Sequence, residues 1–251
     1  MTLEEQVAGP FTNAREHGLQ SDGDVLTLVR TERYREDFAN AFPGEAGSPQ
    51  LRNIQVAIAA YIRTLRAGDS AFDRYFFAGD KSALTATAKR GLELFRGPAR
   101  CTQCHEIESN GALFTDHRFH RVGIDGAKLS VDLAQTTRRA MSISKDRLDE
   151  TITADGSIAA LGRFLVTRDP KDIGKYRTPS LRNVALTAPY MHDGSVATLR
   201  EAVEQEVYYR TSESGRPLIL TPRERDDLIA FLGALTSTCF NRGDCEFLPR
   251  R

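Results

Sequence analysis

The residues best suited to chemistry are Cys101-Thr102-Gln103-Cys104-His105. Two thiols three positions apart can each add to one vinyl group of a single porphyrin, and a histidine directly after the second can reach the iron as proximal ligand. The spacing predicts one covalent c-type haem, and with it redox chemistry outside the reducing cytosol. Two other chemistries use the same thiols. A redox Cys-x-x-Cys pair gains nothing from His105 where it stands. A zinc site needs two more ligands, which Cys239 and Cys245 supply only from a distant loop. That second cysteine pair, set among turn residues, instead suits a short disulfide loop worth about 2 kcal/mol in an oxidising compartment.

The far side of the iron has few claimants. The methionines are Met1, Met141 and Met191, and the histidines besides His105 are His17, His117, His120 and His192. His117 and His120 share the short segment Phe114 to His120, just downstream of the attachment motif, which favours contact with the haem edge or a propionate.

Helices must position these groups. Ile54, Ile58, Tyr61, Ile62 and Leu65 form an apolar stripe at helical spacing, ended by Gly68. A second helix from Leu84 to Phe95 runs into Gly97-Pro98 directly before the cysteines, and a third spans Thr198 to Tyr209. Thr221-Pro222-Arg223-Glu224 reads as a capping box opening a fourth helix through Leu235, with Leu228, Phe231 and Leu232 on its buried face. Between Gly123 and Lys175 the pattern weakens to polar helical pieces, 133–141 and 144–152, read as a connecting segment over the haem edge. Strand signals are short and scattered. The expected fold is all-α, a cytochrome c-like haem domain with additional helices and long loops.

Composition narrows the function. The 251 residues carry 34 basic and 34 acidic side chains, so there is no basic footprint for nucleic acid. No apolar stretch reaches transmembrane length. The start, Met1 to Gln6, is acidic and polar, without the basic and apolar regions of an export signal. Haem c is attached after export, so a periplasmic protein whose natural start is longer would reconcile the two.

A family resemblance rests on specific runs. Phe114-Thr115-Asp116, Phe119-His120 and Gly123, followed by Tyr176-Arg177-Thr178-Pro179-Ser180-Leu181-Arg182-Asn183 and Pro189-Tyr190-Met191-His192-Asp193-Gly194, resemble the carboxy-terminal domain of bacterial di-haem cytochrome c peroxidases, nearest the MauG-type branch. Asp73 to Phe76 and the helix from Lys89 to Phe95 are similar to that family as well. The opening, Leu3 to Pro10, resembles the segment that follows the family's first haem domain. The resemblance implies a division at residue 80: 1–80 as crossover segment and helices completing an absent peroxidatic haem domain, 81–251 as the carboxy-terminal haem domain. One haem is expected here, against two in a full-length relative.

The resemblance also implies roles. Gln6, Pro10 and Glu16 match the peroxide pocket of the other haem, with Glu16 suited to proton transfer. His120 and Arg177 match positions beside the haem and its propionates, and His192 an inter-haem position. The backbone carbonyls of Thr187 and Pro189 match ligands of a calcium ion. The peroxidase spacing of the distal methionine falls on Glu206, so Tyr208 and Tyr209 become the candidate distal ligands, as in the MauG-type branch. The implied substrate is hydrogen peroxide, with electrons from a small cytochrome c or copper protein, or oxidation of a protein substrate. The alternative is a mono-haem periplasmic electron-transfer cytochrome.

Overall fold

A computed structural model describes residues 2–45, 49–65, 67–121, 123, 126, 129, 131–144, 147–214 and 218–238. Among these the chain is helical apart from one short ladder, as expected of an all-α fold. It divides into two compact units at Arg66/Ala67. Cys239 and Cys245, and with them the expected disulfide, lie outside the described residues.

The first unit holds helices α1 (Leu3–Thr12), α2 (Asp22–Val29), α3 (Glu32–Ala41) and α4 (Leu51–Thr64). A capping box opens α1: Glu5 N–H donates to Thr2 Oγ1 at 3.3 Å and Thr2 N–H to Glu5 Oε2 at 2.7 Å. Val7, Phe11, Val25, Ile54 and Ala59 make the core. The buried face of α4 thus runs through Asn53, Ile54 and Ala59, whereas Tyr61, Ile62 and Leu65 of the predicted stripe are exposed.

The second unit begins before the expected division at residue 80, and packing explains the difference. Helix α5 (Ala71–Phe76) carries Phe72, which is fully buried with its ring 5.1 Å from that of Phe114 and 5.8 Å from that of Phe231. Residues 67–80 therefore belong to the core of the later residues. Helix α6 (Ala86–Arg96) starts at Thr85, whose Oγ1 accepts from Ala88 N–H at 3.1 Å, and buries Ala88, Leu92 and Phe95. Then follow α7 (Leu133–Ser142), α8 (Leu148–Ala154), α9 (Gly156–Ala159), α10 (Phe164–Thr167), α11 (Leu199–Ser214) and α12 (Pro222–Gly233). The capping box read from Thr221 and Glu224 is present, with Thr221 N–H donating at 2.7 Å. Leu228, Phe231, Leu232 and Leu235 are buried beyond it, each contributing about 1.5–3 kcal/mol.

Helices α6 and α12 cross at Gly91, where a Cβ would stand 1.9 Å from the Asp227 carbonyl oxygen. Beside the crossing, the Arg90 guanidinium grips the buried Asp227 carboxylate with two bonds of 2.8 and 2.7 Å. Arg90 holds that carboxyl below the usual range.

The region read as a connecting segment is corrected. Ala140 from α7, Ile158 from α9, Leu161 from the turn that follows it, and Phe164 and Leu165 from α10 bury one another in a small core of their own. Its helices are so short, with polar faces so wide, that no single window carries enough periodicity to show it. Strand β1 (Phe119–Arg121) pairs antiparallel with β2 (Lys175–Arg177), in the register Phe119↔Arg177, His120↔Tyr176 and Arg121↔Lys175.

Candidate functional site

The attachment motif follows directly from α6. Gly97 caps that helix, and Arg100, at φ 55°, reverses the chain into a 3₁₀ turn at Cys101–Gln103. His105 N–H donates to Cys101 O at 2.9 Å, closing the turn so that both thiols and the imidazole spring from one short loop. Burial pushes the Cys101 thiol up to about 11, and burial raises Cys104 as well. A disulfide oxidoreductase needs the opposite, a thiol shifted toward thiolate. That direction disfavours the redox-pair reading of the motif.

His105 is oriented from behind. Its Nδ1 lies 2.8 Å from the Phe114 carbonyl oxygen, which only accepts, so Nδ1 carries the proton and Nε2 keeps its lone pair. Burial pushes the imidazole below its ordinary value, which favours the neutral, ligating form. Two thiols on one turn and a neutral imidazole with a fixed tautomer are the donor set that a c-type haem requires. The residues present fit the group.

The ladder brings several sequence-predicted residues to this loop. His120 and Tyr176 are direct partners across β1 and β2, and the Tyr176 ring stacks on His192 at 4.2 Å. His120 donates from Nε2 to Asp116 Oδ2 at 2.6 Å. Ligand atoms of His120, Asp116 and Cys104 all lie within 4.8 Å of one another, so His120 stands beside the second cysteine of the motif. Arg177, on an exposed strand end, donates from Nη2 to His117 Nδ1 at 3.1 Å.

Helix α11 supplies groups that sequence reasoning missed. Arg210 donates to the Arg100 carbonyl at 2.8 Å, and its charge, with that of Glu206 one turn earlier, acts on both cysteines. The helical spacing of Glu206 and Arg210 was the available signal. Tyr208 is 70% exposed. Tyr209 lies against Gly123, where a Cβ would come within 2.8 Å of its ring and the backbone φ of +69° also favours glycine.

The remaining sequence-predicted residues lie apart from this loop in the chain. Thr187 and Pro189 are on an exposed turn after Val184–Leu186. In the first unit, Gln6 and Pro10 are one turn apart on α1, and the exposed Glu16 sits in the following turn, which His17 N–H folds back onto the Pro10 carbonyl at 3.2 Å.

Asp116 gives a pH test of the loop. Burial pushes its carboxyl up, but hydrogen bonds from Arg118 N–H, His120 and Thr178 outweigh this and hold it at about 2. A depressed carboxyl contributes stability that is full above its unfolded value, ordinarily about 3.9, and is lost as pH falls toward the folded one. Thermal melts between pH 5 and pH 2 are expected to show the wild type losing its advantage over Asp116→Asn across that window. An unchanged gap would refute the assignment.

Comparison with known proteins places the chain. The family model described as di-haem cytochrome c peroxidase matches residues 1–82. The chain is 38% identical over 248 residues to cytochrome-c peroxidase IdrP1 of Pseudomonas sp. (strain SCT), covering 94% of this chain and 62% of that protein. It is 32% identical over 241 residues to methylamine utilization protein MauG of Methylorubrum extorquens, covering 93% of this chain and 58% of the relative. The chain thus spans about three fifths of the length of these relatives. Among solved structures, a MauG-like protein associated with microbial copper homeostasis superposes with a TM-score of 0.69 at 31% identity, over 94% of this chain and 69% of that one. The diheme peroxidase BthA from Burkholderia thailandensis superposes with a TM-score of 0.65 at 25% identity, over 94% and 64%. The chain belongs to the di-haem cytochrome c peroxidase and MauG family.

Proposed function

We propose that this chain carries one c-type haem on Cys101 and Cys104, with His105 as proximal ligand, and serves as the electron-relay part of a hydrogen-peroxide-dependent oxidoreductase. The observation that carries the reading is the 2.8 Å bond from His105 Nδ1 to the Phe114 carbonyl, which assigns the proton to Nδ1 and leaves Nε2 as the nitrogen that would ligate iron. A haem bound there supplies one-electron chemistry at iron, and the protein supplies attachment, orientation and electrostatics. His120 beside Cys104 and Arg177 at the end of β2 supply polar groups for the haem edge and propionates. His192, stacked on Tyr176, extends an aromatic path away from the loop.

On the distal side the two tyrosines are unequal. Tyr208 points to solvent, whereas Tyr209 is half-buried against Gly123. Tyr209→Phe is expected to change the ferric absorption spectrum and Tyr208→Phe to leave it unchanged; the reverse pattern would reassign the ligand. A tyrosine there favours the MauG-type reaction, oxidation of a protein side chain, over simple peroxide reduction with electrons from a small cytochrome c or copper protein. Gln6, Pro10 and Glu16 serve a second haem's peroxide side, with Glu16 as proton donor. The carbonyls of Thr187 and Pro189 give a calcium ion two of the roughly six to eight oxygens it takes, so calcium needs further ligands. The setting is the periplasm. No helix among the described residues is long and apolar enough to cross a membrane.

The test is haem content and electron exchange on protein exported through a c-haem maturation system. Pyridine haemochrome is expected to give one haem per chain. Stopped-flow mixing with a reduced small cytochrome c or copper protein is expected to reduce that haem. A colourless protein would overturn the whole reading, and a haem that neither donor reduces would overturn the relay.

A further inference from the structure

The carbonyl that orients His105 belongs to a segment with no regular structure of its own. Residues 111–115 lie in neither helix nor strand. Phe114 itself holds φ at 54°, a left-handed conformation that costs a residue with a Cβ roughly 1–2 kcal/mol. Something must hold this backbone in place, and the structure shows what does. Ser180 donates from Oγ to the Leu113 carbonyl at 2.7 Å, and Arg182 donates from Nε to the Ala112 carbonyl at 2.7 Å. From the other direction, Thr115 Oγ1 donates to the Thr178 carbonyl at 2.7 Å.

Arg182 is the centre of this arrangement. Its two terminal nitrogens donate to the Asp73 carboxylate at 2.5 and 2.7 Å, and both side chains are about nine-tenths buried. Asp73 is in turn anchored by Ser70, whose hydroxyl donates to it at 2.6 Å. The guanidinium also stands 5.2 Å from the centre of the Phe114 ring. Arg182 therefore touches the carbonyl two residues before the one that binds His105, and the ring of the residue that carries it. A planar guanidinium can serve a carboxylate with two nitrogens and a carbonyl with the third; a lysine ammonium cannot reproduce that fork.

From this we infer that Arg182, supported by Ser180, is a positioning residue for the proximal ligand, acting through the Phe114 carbonyl to set how strongly His105 binds iron. An N–H···O=C bond on the far nitrogen of a ligating imidazole raises its basicity and favours the oxidised metal. Loosening the carbonyl weakens that bond and favours the reduced metal. The inference rests on the haem reading above.

The test is potentiometric titration of the haem-loaded full chain, with resonance Raman of the ferrous iron–histidine stretch, for wild type, Arg182→Lys, Ser180→Ala and Arg90→Lys. Arg182→Lys is expected to raise the ferrous-to-ferric ratio about tenfold at fixed ambient potential, about 59 mV for a one-electron couple, and to lower the stretch frequency. Ser180→Ala should move both in the same direction by less, and it carries the test alone if Arg182→Lys does not fold. Arg90→Lys loosens the α6–α12 crossing, which meets Phe114 through the rings of Phe95 and Phe231 rather than through the carbonyls of residues 112–114, and should shift both readouts far less than Arg182→Lys. Unchanged potential and stretch in a haem-loaded Arg182→Lys or Ser180→Ala would overturn the inference, as would an equal shift in Arg90→Lys. Absence of haem from the wild type would instead overturn the reading beneath it.

Discussion

Gly91→Ala is expected to destabilise the second unit by about 3 kcal/mol, the upper part of the range for overpacking, because the new methyl strikes backbone. Its Cβ would lie 1.9 Å from the Asp227 carbonyl oxygen, 2.6 Å from the carbonyl carbon and 2.7 Å from Phe231 Cβ. No rotamer change relieves a contact with the main chain, so α6 and α12 must part, and the Phe95–Phe231 packing at 5.0 Å parts with them. Alanine's higher helix propensity returns about 1 kcal/mol, too little to offset the collision. Thermal melting should fall by roughly 6–12 °C. Gly233→Ala is the matched comparison, since nothing lies within 4 Å of a Cβ there, and it should melt close to wild type. Equal melting of the two variants would show that the helices do not cross so closely.

The largest functional effect is expected from Cys101→Ser combined with Cys104→Ser: covalent haem should fall to zero, judged by acid–acetone extraction followed by absorption of the protein fraction. The two thiols stand on one turn closed by the His105 N–H to Cys101 carbonyl bond, so both attachment points belong to one loop. His105→Gln separates the second role. Attachment should survive, because the thiols are untouched, while the ferric spectrum changes with loss of the axial nitrogen. Haem retained covalently by the double serine variant would mean that another residue holds it.

Much of this was legible in the sequence because it depends on local spacing. The capping box at Thr221, the apolar face of α12 and the helix ending at Gly97 are read from side-chain types within one or two turns, and the structure has them. The attachment motif is five consecutive residues, and its chemistry follows from their order. Where the reading went astray, local pattern was the wrong guide. The compact units part at Arg66/Ala67, earlier than residue 80, because Phe72 buries itself against Phe114 and Phe231, far along the chain. The stretch from Gly123 to Lys175 looked like a connector because α8, α9 and α10 are too short to show a period, yet their few apolar residues close a core. The stripe on α4 was real as a pattern, but burial on that helix follows Asn53, Ile54 and Ala59.

By itself the sequence determined the helical class, the Cys-x-x-Cys-His motif and the family to which it points, since each is carried by residue order and neighbouring spacing. Only the tertiary structure decided which nitrogen of His105 faces the Phe114 carbonyl, because that rests on a group nine residues away whose own position depends on Ser180 and Arg182. It alone placed His120 beside Cys104 and Tyr176, through a two-strand ladder that joins segments more than fifty residues apart. It also turned Tyr208 outward and Tyr209 toward Gly123, a choice between adjacent residues that rests on which face of α11 is packed. The physical reason is common to all three. Local chemistry is written in neighbouring side chains, whereas orientation and burial are set by groups the chain brings together only when it folds.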